Sequence, residues 1–528
     1  MNFANLKRFL PAPLNVGLAV FSAILLVLAF PGFEFWLIAW FALVPLFFAV
    51  EREKESWVKS LLVGWTFGTV FFFGSCWWLT FAPITYAGFP SLLAYFLLLL
   101  ASLAVGFFPA LFAALFSIIL KRFGTYAILS APFLWIAIEF LRFWTTGNNW
   151  NAIAYSHAFQ PIMLSFASYG GIYLTGFFIL LFNAGISFEL IQRSKGKKTP
   201  TSVSLIIFLI FSLFAMFAPI NLFVALQYKN SDAKQPTAKV IAIQPNVPMG
   251  GMTAEKYEQI LQKHIGLAET ALDKSNEPPT TDHRLPTTVI FPESPMNFMY
   301  AEDLEFQQFI RAFALRNNVS VLFNAAEPDA ESKKYFNSAV LIDASGRKIA
   351  QYDKIYLVPF GESVPAPLQN IMPALVGNFS YGNEYDLLSF GDAKAGIMIC
   401  FESHFPNLSR EFVRNGADVL IEMTNDGYLG NTPVLRQHLA SAVFRAVETN
   451  RPLLRVTNVG ITAYINENGE ISEASESYTE DTRIWTISKS DGSQTFYVKY
   501  GDWFAWLCSF VSLALLFLSF RKVSVARP

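Results

Sequence analysis

SLLVGWTFGTVFFFGSCWWLTFAPITYAGFPSLLAYFLLLLASLAVGFFPALFAALFSIIL, residues 60–120, contains no Lys, Arg, Asp or Glu. Such a run is too long for one buried helix of a soluble domain and long enough for two bilayer crossings at about 20 residues each. The chain is therefore read as a membrane protein. Working outward, apolar segments place eight spans, at 13–30, 34–50, 57–80, 89–120, 126–144, 173–191, 202–226 and 503–520. The fourth is overlong, and Gly106 and Pro109 within it predict a kink. Gly64-Trp-Thr-Phe-Gly68 in the third spaces two small residues for close helix packing.

Lys and Arg of short loops stay on the cytoplasmic side of a membrane. Lys7 and Arg8 precede the first span, Arg52, Lys54 and Lys59 lie between the second and third, and Lys121 and Arg122 between the fourth and fifth. Arg193, Lys195, Lys197 and Lys198 follow the sixth, and Arg521, Lys522 and Arg527 the eighth. The alternate loops 31–32 and 81–88 hold no cation. Both termini are expected in the cytoplasm, and the long segment between spans seven and eight outside it. Residues 18–30 lack a small-x-small cleavage site and lead into another span, so the start reads as an anchor rather than a cleaved signal peptide.

Composition narrows the function classes. The 528 residues are 53% hydrophobic and 16% aromatic, with only 15% charged where soluble domains carry about a quarter. The 39 Lys and Arg balance the 40 Asp and Glu, so no basic field exists to hold nucleic acid. Cys76, Cys400 and Cys508 are too scattered for a disulfide framework or a zinc ribbon, and the five His show no metal spacing. No metal or cofactor is expected.

Three domains follow: a membrane part at 1–226, a folded domain at 227–502, and the last span with its tail at 503–528. The middle segment holds most acidic residues, Pro- and Asp-rich loops, and apolar runs of strand length at 238–243, 288–291, 319–323, 338–342, 395–399, 419–422 and 453–456. Helical patterns intervene at 253–273, 302–317, 404–415 and 433–449. The fold class is thus a multi-pass α-helical membrane domain joined to an extracytoplasmic α/β layered domain.

Layered α/β folds present reactive groups at strand ends. Glu293 ends Val-Ile-Phe-Pro-Glu, Lys354 follows the strand-like 348–352, and Cys400 ends Ala-Gly-Ile-Met-Ile-Cys. Together they make an acyl-transfer set: a carboxylate to take the thiol proton, a thiol to attack a carbonyl, and an ammonium to stabilise the oxyanion. A helix beginning near His404 is expected to favour the Cys400 thiolate. In span five, Glu139 and Arg142 lie three apart, and ionisable groups in spans are functional candidates; Arg142 is read as a phospholipid headgroup contact, the alternative being a purely structural pair with Glu139.

Four stretches carry a family resemblance: Tyr-Asp-Lys-Ile-Tyr-Leu-Val-Pro-Phe-Gly-Glu (352–362), Ile-Cys-Phe-Glu (399–402), Thr-Asn-Asp-Gly-Tyr-Leu-Gly (424–430) and Arg-Pro-Leu-Leu-Arg-Val-Thr-Asn-Val-Gly-Ile-Thr-Ala (451–463). With Ile-Gln-Pro-Asn-Val-Pro (243–248) and Tyr-Phe-Asn-Ser (335–338), they resemble the apolipoprotein N-acyltransferases. The resemblance implies eight spans with a nitrilase-like αββα sandwich between the last two, on the periplasmic face of a bacterial inner membrane. It implies Glu293, Lys354 and Cys400 as a triad, with Glu362, Glu402, Asn337 and Phe401 supporting it and Tyr428 at the substrates. Phospholipid would donate an acyl chain to Cys400, and the diacylglyceryl-cysteine amine of a lipoprotein would accept it. The sequence departs from the family at Tyr356, where His is usual, at Phe401, where an aromatic hydroxyl is frequent, and at Met-Gly-Gly-Met-Thr (249–253), where a Trp is common.

Two other readings compete. A membrane-anchored nitrilase-type amidase would use water in the second step. A transporter or scaffold would carry an inert outer domain, although no pair of spans shows the symmetry of inverted repeats. The apolar 371–376, interrupted by Pro373, is read either as a loop dipping toward lipid or as a surface loop packed on the domain.

Overall fold

A computed structural model describes residues 9–197, 235–250, 254–275, 285–293, 298–364 and 377–521. The chain divides into two compact units, residues 1–228 with 502–528 and residues 229–501. The expected span at 202–226 and the loop at 371–376 lie outside the described residues.

In the first unit, four helical stretches among the described residues are long and apolar enough to cross a membrane: Trp57–Ser75, Ser91–Thr146, Ala167–Ser194 and Trp503–Phe520. Pro13–Ala29 is a shorter apolar helix. The stretch 91–146 is not one rod. It breaks at Gly106, between Ser91–Val105 and Phe107–Phe123, and turns through a 3-10 segment at Gly124–Ser130 before Ala131–Thr146. Pro109 stands in the first turn of its helix, where a missing N–H leaves no bond unmade. Residues expected as the second span form a 3-10 turn, Trp36–Trp40, and a ten-residue helix, Val44–Glu53. Ten helical residues rise only about 15 Å, half a hydrocarbon core.

Gly64 and Gly68 allow a close helix approach. A Cβ at Gly64 would lie 2.3 Å from the Pro109 carbonyl oxygen, and one at Gly68 2.9 Å from Gly106 Cα. Only glycine lets Trp57–Ser75 meet this backbone directly. On the outside, Leu92, Phe510 and Phe520 are 85%, 72% and 68% exposed, a surface suited to lipid rather than water.

The second unit is built on two sheets. The strands are β1 (Pro236–Gln244), β2 (Thr287–Ile290), β3 (Ser320–Pro328), β4 (Tyr335–Ile342), β5 (Lys348–Asp353), β6 (Phe379–Ser380), β7 (Leu387–Phe390), β8 (Ala393–Ile399), β9 (Val419–Thr424), β10 (Leu453–Thr457), β11 (Ala463–Ile465), β12 (Ile471–Ser472) and β13 (Asp481–Ser488). One sheet runs β13-β1-β2-β3-β4-β5 with β6 beside β4, and the other runs β12-β11-β10-β9-β8-β7. The pairs β1–β2, β2–β3, β8–β9 and β9–β10 are parallel. Parallel strands are covered on both faces, which is why β9 is buried at every residue and is apolar except at Glu422 and Thr424.

Helices Ala254–Ser275 and Leu304–Asn317 cover the first sheet, packing Leu261, Ile265, Phe306 and Phe313 against Ile241 and Val321. Asp303 caps the second of these by accepting the Phe306 N–H. Helices Pro406–Arg414 and Val434–Thr449 lie on the other sheet, against β8 and β10.

Candidate active site

Three strand ends converge. β2 leads into Phe291-Pro292-Glu293, β5 stops one residue before Lys354, and β8 one residue before Cys400. Lys354 Nζ lies 2.8 Å from Glu362 Oε1 and 3.6 Å from Glu293 Oε1. Asn337 on β4 donates to both carboxylates, at 2.7 Å to Glu362 and 3.2 Å to Glu293, and its own carbonyl accepts from Asn324 at 2.7 Å. The second oxygen of Glu293 accepts the Asn425 N–H at 3.0 Å, and that of Glu362 the Val358 N–H at 2.8 Å. The Cys400 side chain lies beside Glu293 and Thr424, near enough for each to act on its ionisation.

The electrostatics follow from one cation facing two anions. Burial acts against the charge on Lys354, but Glu362 and then Glu293 outweigh it, and its pKa lies above the ordinary lysine range. The excess negative charge acts on the other groups. Burial raises the pKa of Glu293, Lys354 pulls it down, and Glu362 raises it again, leaving it above the usual carboxylate range. Burial, then Glu293, pushes the Cys400 thiol well up. The resting pair is a neutral thiol against a strengthened base.

The expectation of a thiolate stabilised by a following helix is corrected here. Cys400 is itself the first residue of a five-residue 3-10 helix, Cys400–His404, and the α-helix begins only at Pro406. The sulfur belongs to the turn, not to a position ahead of an α-helix dipole, and the net negative charge opposes ionisation. The turn is tight, with Cys400 at φ +55°, a left-handed conformation that costs a non-glycine residue about 1–3 kcal/mol. Glu402 braces it. Its Oε2 accepts the Ile399 N–H at 2.8 Å, while its Oε1 accepts the Tyr352 hydroxyl at 2.8 Å and the N–H groups of Ile355 at 2.7 Å and Tyr356 at 3.0 Å. Burial pushes the Glu402 pKa up to about 7 against the pull of these donors. Among the described residues, no group of three His, Cys, Asp or Glu is arranged to hold a metal ion.

Residues 22–185 match the family described as apolipoprotein N-acyltransferase N-terminal domain, and residues 221–497 that described as carbon-nitrogen hydrolase. The apolipoprotein N-acyltransferase of Geobacter metallireducens is 31% identical over 519 residues, 96% of this chain and 96% of its own. The chain belongs to the apolipoprotein N-acyltransferase family. The Thermotoga maritima apolipoprotein N-acyltransferase is 30% identical over 523 residues, 96% of this chain and 94% of its own. Among solved structures, Saccharomyces cerevisiae Nit3, a member of branch 10 of the nitrilase superfamily, is similar with a TM-score of 0.38 and 17% identity, over 49% of this chain and 92% of that one.

Within this apolipoprotein N-acyltransferase family member, sequence reading missed a buried ionic cluster behind the Cys400 turn. Arg455 on β10 pairs with Glu422 on β9, and with Asp426 Oδ2 at 2.8 Å. His438, on helix Val434–Thr449, sets Nδ1 2.7 Å from Asp426 Oδ1 and Nε2 3.0 Å from Glu422 Oε1. Asp426 and Arg455 fall inside family motifs, but only the fold shows what they face.

The remaining candidates are placed as follows. The Phe401 ring packs 5.5 Å from that of His404 and 5.3 Å from that of Phe405. Tyr428 is half-buried in a 3-10 turn, Asp426–Leu429, after β9. Glu139 and Arg142 belong to the first unit, on helix Ala131–Thr146. Glu139 Oε1 accepts from Trp135 Nε1 and from the Ile153 N–H, both at 3.0 Å. Arg142 Nη1 donates to the Trp150 carbonyl at 2.6 Å, and its guanidinium lies 5.4 Å from the Phe72 ring centre. Both border a cavity of about 30 Å³ walled by Phe67, Phe71, Phe112 and Trp135.

Proposed function

We propose that this chain moves an acyl group from a phospholipid, through a thioester on Cys400, to the α-amine of the diacylglyceryl-cysteine at the start of a lipoprotein. The observation that supports this reading is a thiol beside a carboxylate of raised pKa, with a buried ammonium 3.6 Å from that carboxylate. Glu293 takes the thiol proton as sulfur attacks the ester carbonyl, and Lys354 stabilises the oxyanion. Collapse breaks the ester C–O bond, Glu293 returns the proton to the leaving oxygen, and lysophospholipid departs. The lipoprotein amine then attacks the thioester carbonyl and the C–S bond breaks. Glu293 accepts the proton lost by the amine and passes it to the departing sulfur, which restores the thiol. Glu362 and Asn337 hold Lys354 and Glu293 for both halves of this ping-pong cycle, and no step requires a metal or cofactor.

Both substrates carry chains that cost about 0.8 kcal/mol per methylene to expose to water, so the reaction belongs at a membrane surface. We place the protein in the bacterial inner membrane with eight spans, both termini cytoplasmic, and 227–502 as an αββα catalytic domain on the periplasmic side. Arg142, braced in the Phe-rich wall beside Glu139, is the cation for the phospholipid headgroup, and Tyr428 lies toward the substrates. Arg142→Ala is expected to raise the phospholipid concentration for half-maximal acylation several-fold; an unchanged value removes this assignment.

Mass spectrometry of the purified protein incubated with phospholipid tests the whole reading. Acyl mass on Cys400, discharged quickly by a lipopeptide amine and slowly by water, is the expected result. Fast discharge by water favours an amidase, and no adduct favours an inert scaffold.

A further inference from the structure

Both ring nitrogens of His438 face acceptors. Nδ1 faces an oxygen of Asp426 at 2.7 Å, and Nε2 faces the backbone carbonyl oxygen of Cys400 at 3.1 Å together with an oxygen of Glu422 at 3.0 Å. A neutral imidazole would turn one lone pair against one of these oxygens, whichever tautomer it adopted, whereas an imidazolium donates on both sides. The cluster is arranged for the charged form: two cations, His438 and Arg455, against two anions, Glu422 and Asp426, all at most 4% exposed. The His404 ring stacks 5.1 Å away, and burial, His438, Arg445 and Arg455 hold its own pKa well below the usual value, so it faces His438 uncharged. Burial and Arg455 act against the His438 proton, while Asp426 and Glu422 carry its pKa up to about 9.

The one neutral acceptor in this set belongs to the residue whose backbone is strained. Cys400, at φ +55°, starts the 3-10 turn, and its carbonyl oxygen is the one that Nε2 engages. Because a peptide unit is planar, fixing that carbonyl also fixes the Phe401 N–H on the opposite edge of the same plane, and with it the rotation of the chain that carries the sulfur. We infer that His438, held as an imidazolium by Asp426 and Glu422, is a positioning residue that clamps the Cys400–Phe401 peptide plane for acyl transfer. The inference rests on Cys400 being the nucleophile of the proposed function.

The test is single-turnover acylation of the full-length protein in detergent micelles containing phosphatidylethanolamine, followed by mass spectrometry. His438→Ala is expected to slow Cys400 acylation at saturating phospholipid by about 50-fold or more, while the final amplitude stays near one acyl group per folded protein. His438→Gln keeps a donor for the Cys400 carbonyl without the charge, and is expected to recover most of that loss, to within about tenfold of the natural rate. A natural rate in His438→Ala, or a reduced amplitude at the natural rate, overturns the clamp, the second outcome marking a merely structural role. If His438→Ala does not fold, His438→Gln decides alone: a modest slowing supports the clamp, and either an unchanged rate or a loss beyond tenfold overturns it. Cys400→Ala is run alongside. Transfer that survives in it removes the proposed function itself, whereas an inactive Cys400→Ala beside a fast His438→Ala removes only the clamp.

Discussion

Cys400 holds a backbone conformation that glycine adopts freely and a β-carbon resists. Cys400→Ala removes the sulfur and keeps that conflict, while Cys400→Gly removes both. Neither variant should turn over, but the glycine protein should be the more stable by about 1 kcal/mol, read as a higher Tm in detergent. Equal or reversed values would show that the turn stores no strain. Glu293 yields a second prediction. It accepts a proton only when ionised, and its pKa is raised by burial and by Glu362 against the pull of Lys354, so acylation should fall with acid at a pH above the ordinary carboxylate range. Glu362→Gln removes a negative neighbour and makes ionisation of Glu293 easier. The acid limb of the rate profile should therefore move to lower pH, on a lower plateau because Lys354 loses its 2.8 Å partner. A limb that stays in place or moves upward contradicts this arrangement.

At the scale of elements, the Cys400 turn and the strand end that carries Lys354 are joined through one carboxylate. Glu402 accepts four bonds from donors on both segments, so an amide in its place presents an NH₂ where an acceptor is needed. Glu402→Gln should lose about 1–3 kcal/mol of stability in denaturant titration and slow acylation, and a natural acylation rate would show that the two segments hold position without it. The sequence announced part of this frame plainly. Apolar runs such as Ala395–Ile399 mark strands buried on both faces, and the polar residue that ends each run is therefore conspicuous. Strand ends were harder to read, because Asn324 and Glu327 sit inside β3 and Asn337 inside β4, interrupting the apolar pattern while keeping the ladder. β13 is hard to read from sequence because it alternates Ile484 outward with Trp485 inward at the margin of its sheet. The start of the helix at Pro406 had a visible signal in the proline itself, which favours a first helical turn. The His438 cluster had none, since its members come from two strands, a turn and a helix, and only the packed sheet brings them together.

For the whole molecule, the side of the membrane on which the catalysis occurs is an electrostatic question. Cations kept in short loops favour the cytoplasmic side, and the proposed orientation counts Arg122, exposed at the end of helix Phe107–Phe123, among them. Asn468, in the turn between β11 and β12, is exposed on the second unit. The proposed topology sets these two positions on opposite faces of the bilayer. In a chain whose three native cysteines are replaced by Ala, Asn468→Cys should react with a membrane-impermeant maleimide in intact spheroplasts, and Arg122→Cys only after permeabilisation. The reverse pattern would put the thiol, and the lipoprotein amine it serves, in the cytoplasm. Labelling of both positions without permeabilisation would mean an odd number of crossings between them is wrong, and with it the parity that assigns the seventh span. Adding Lys to the segment 81–88 provides a second lever on the same question. Placed on the side expected to lack cations, such charges should weaken the orientation and leave a fraction of Asn468→Cys protected, since each cation left outside opposes the rule that fixes the rest.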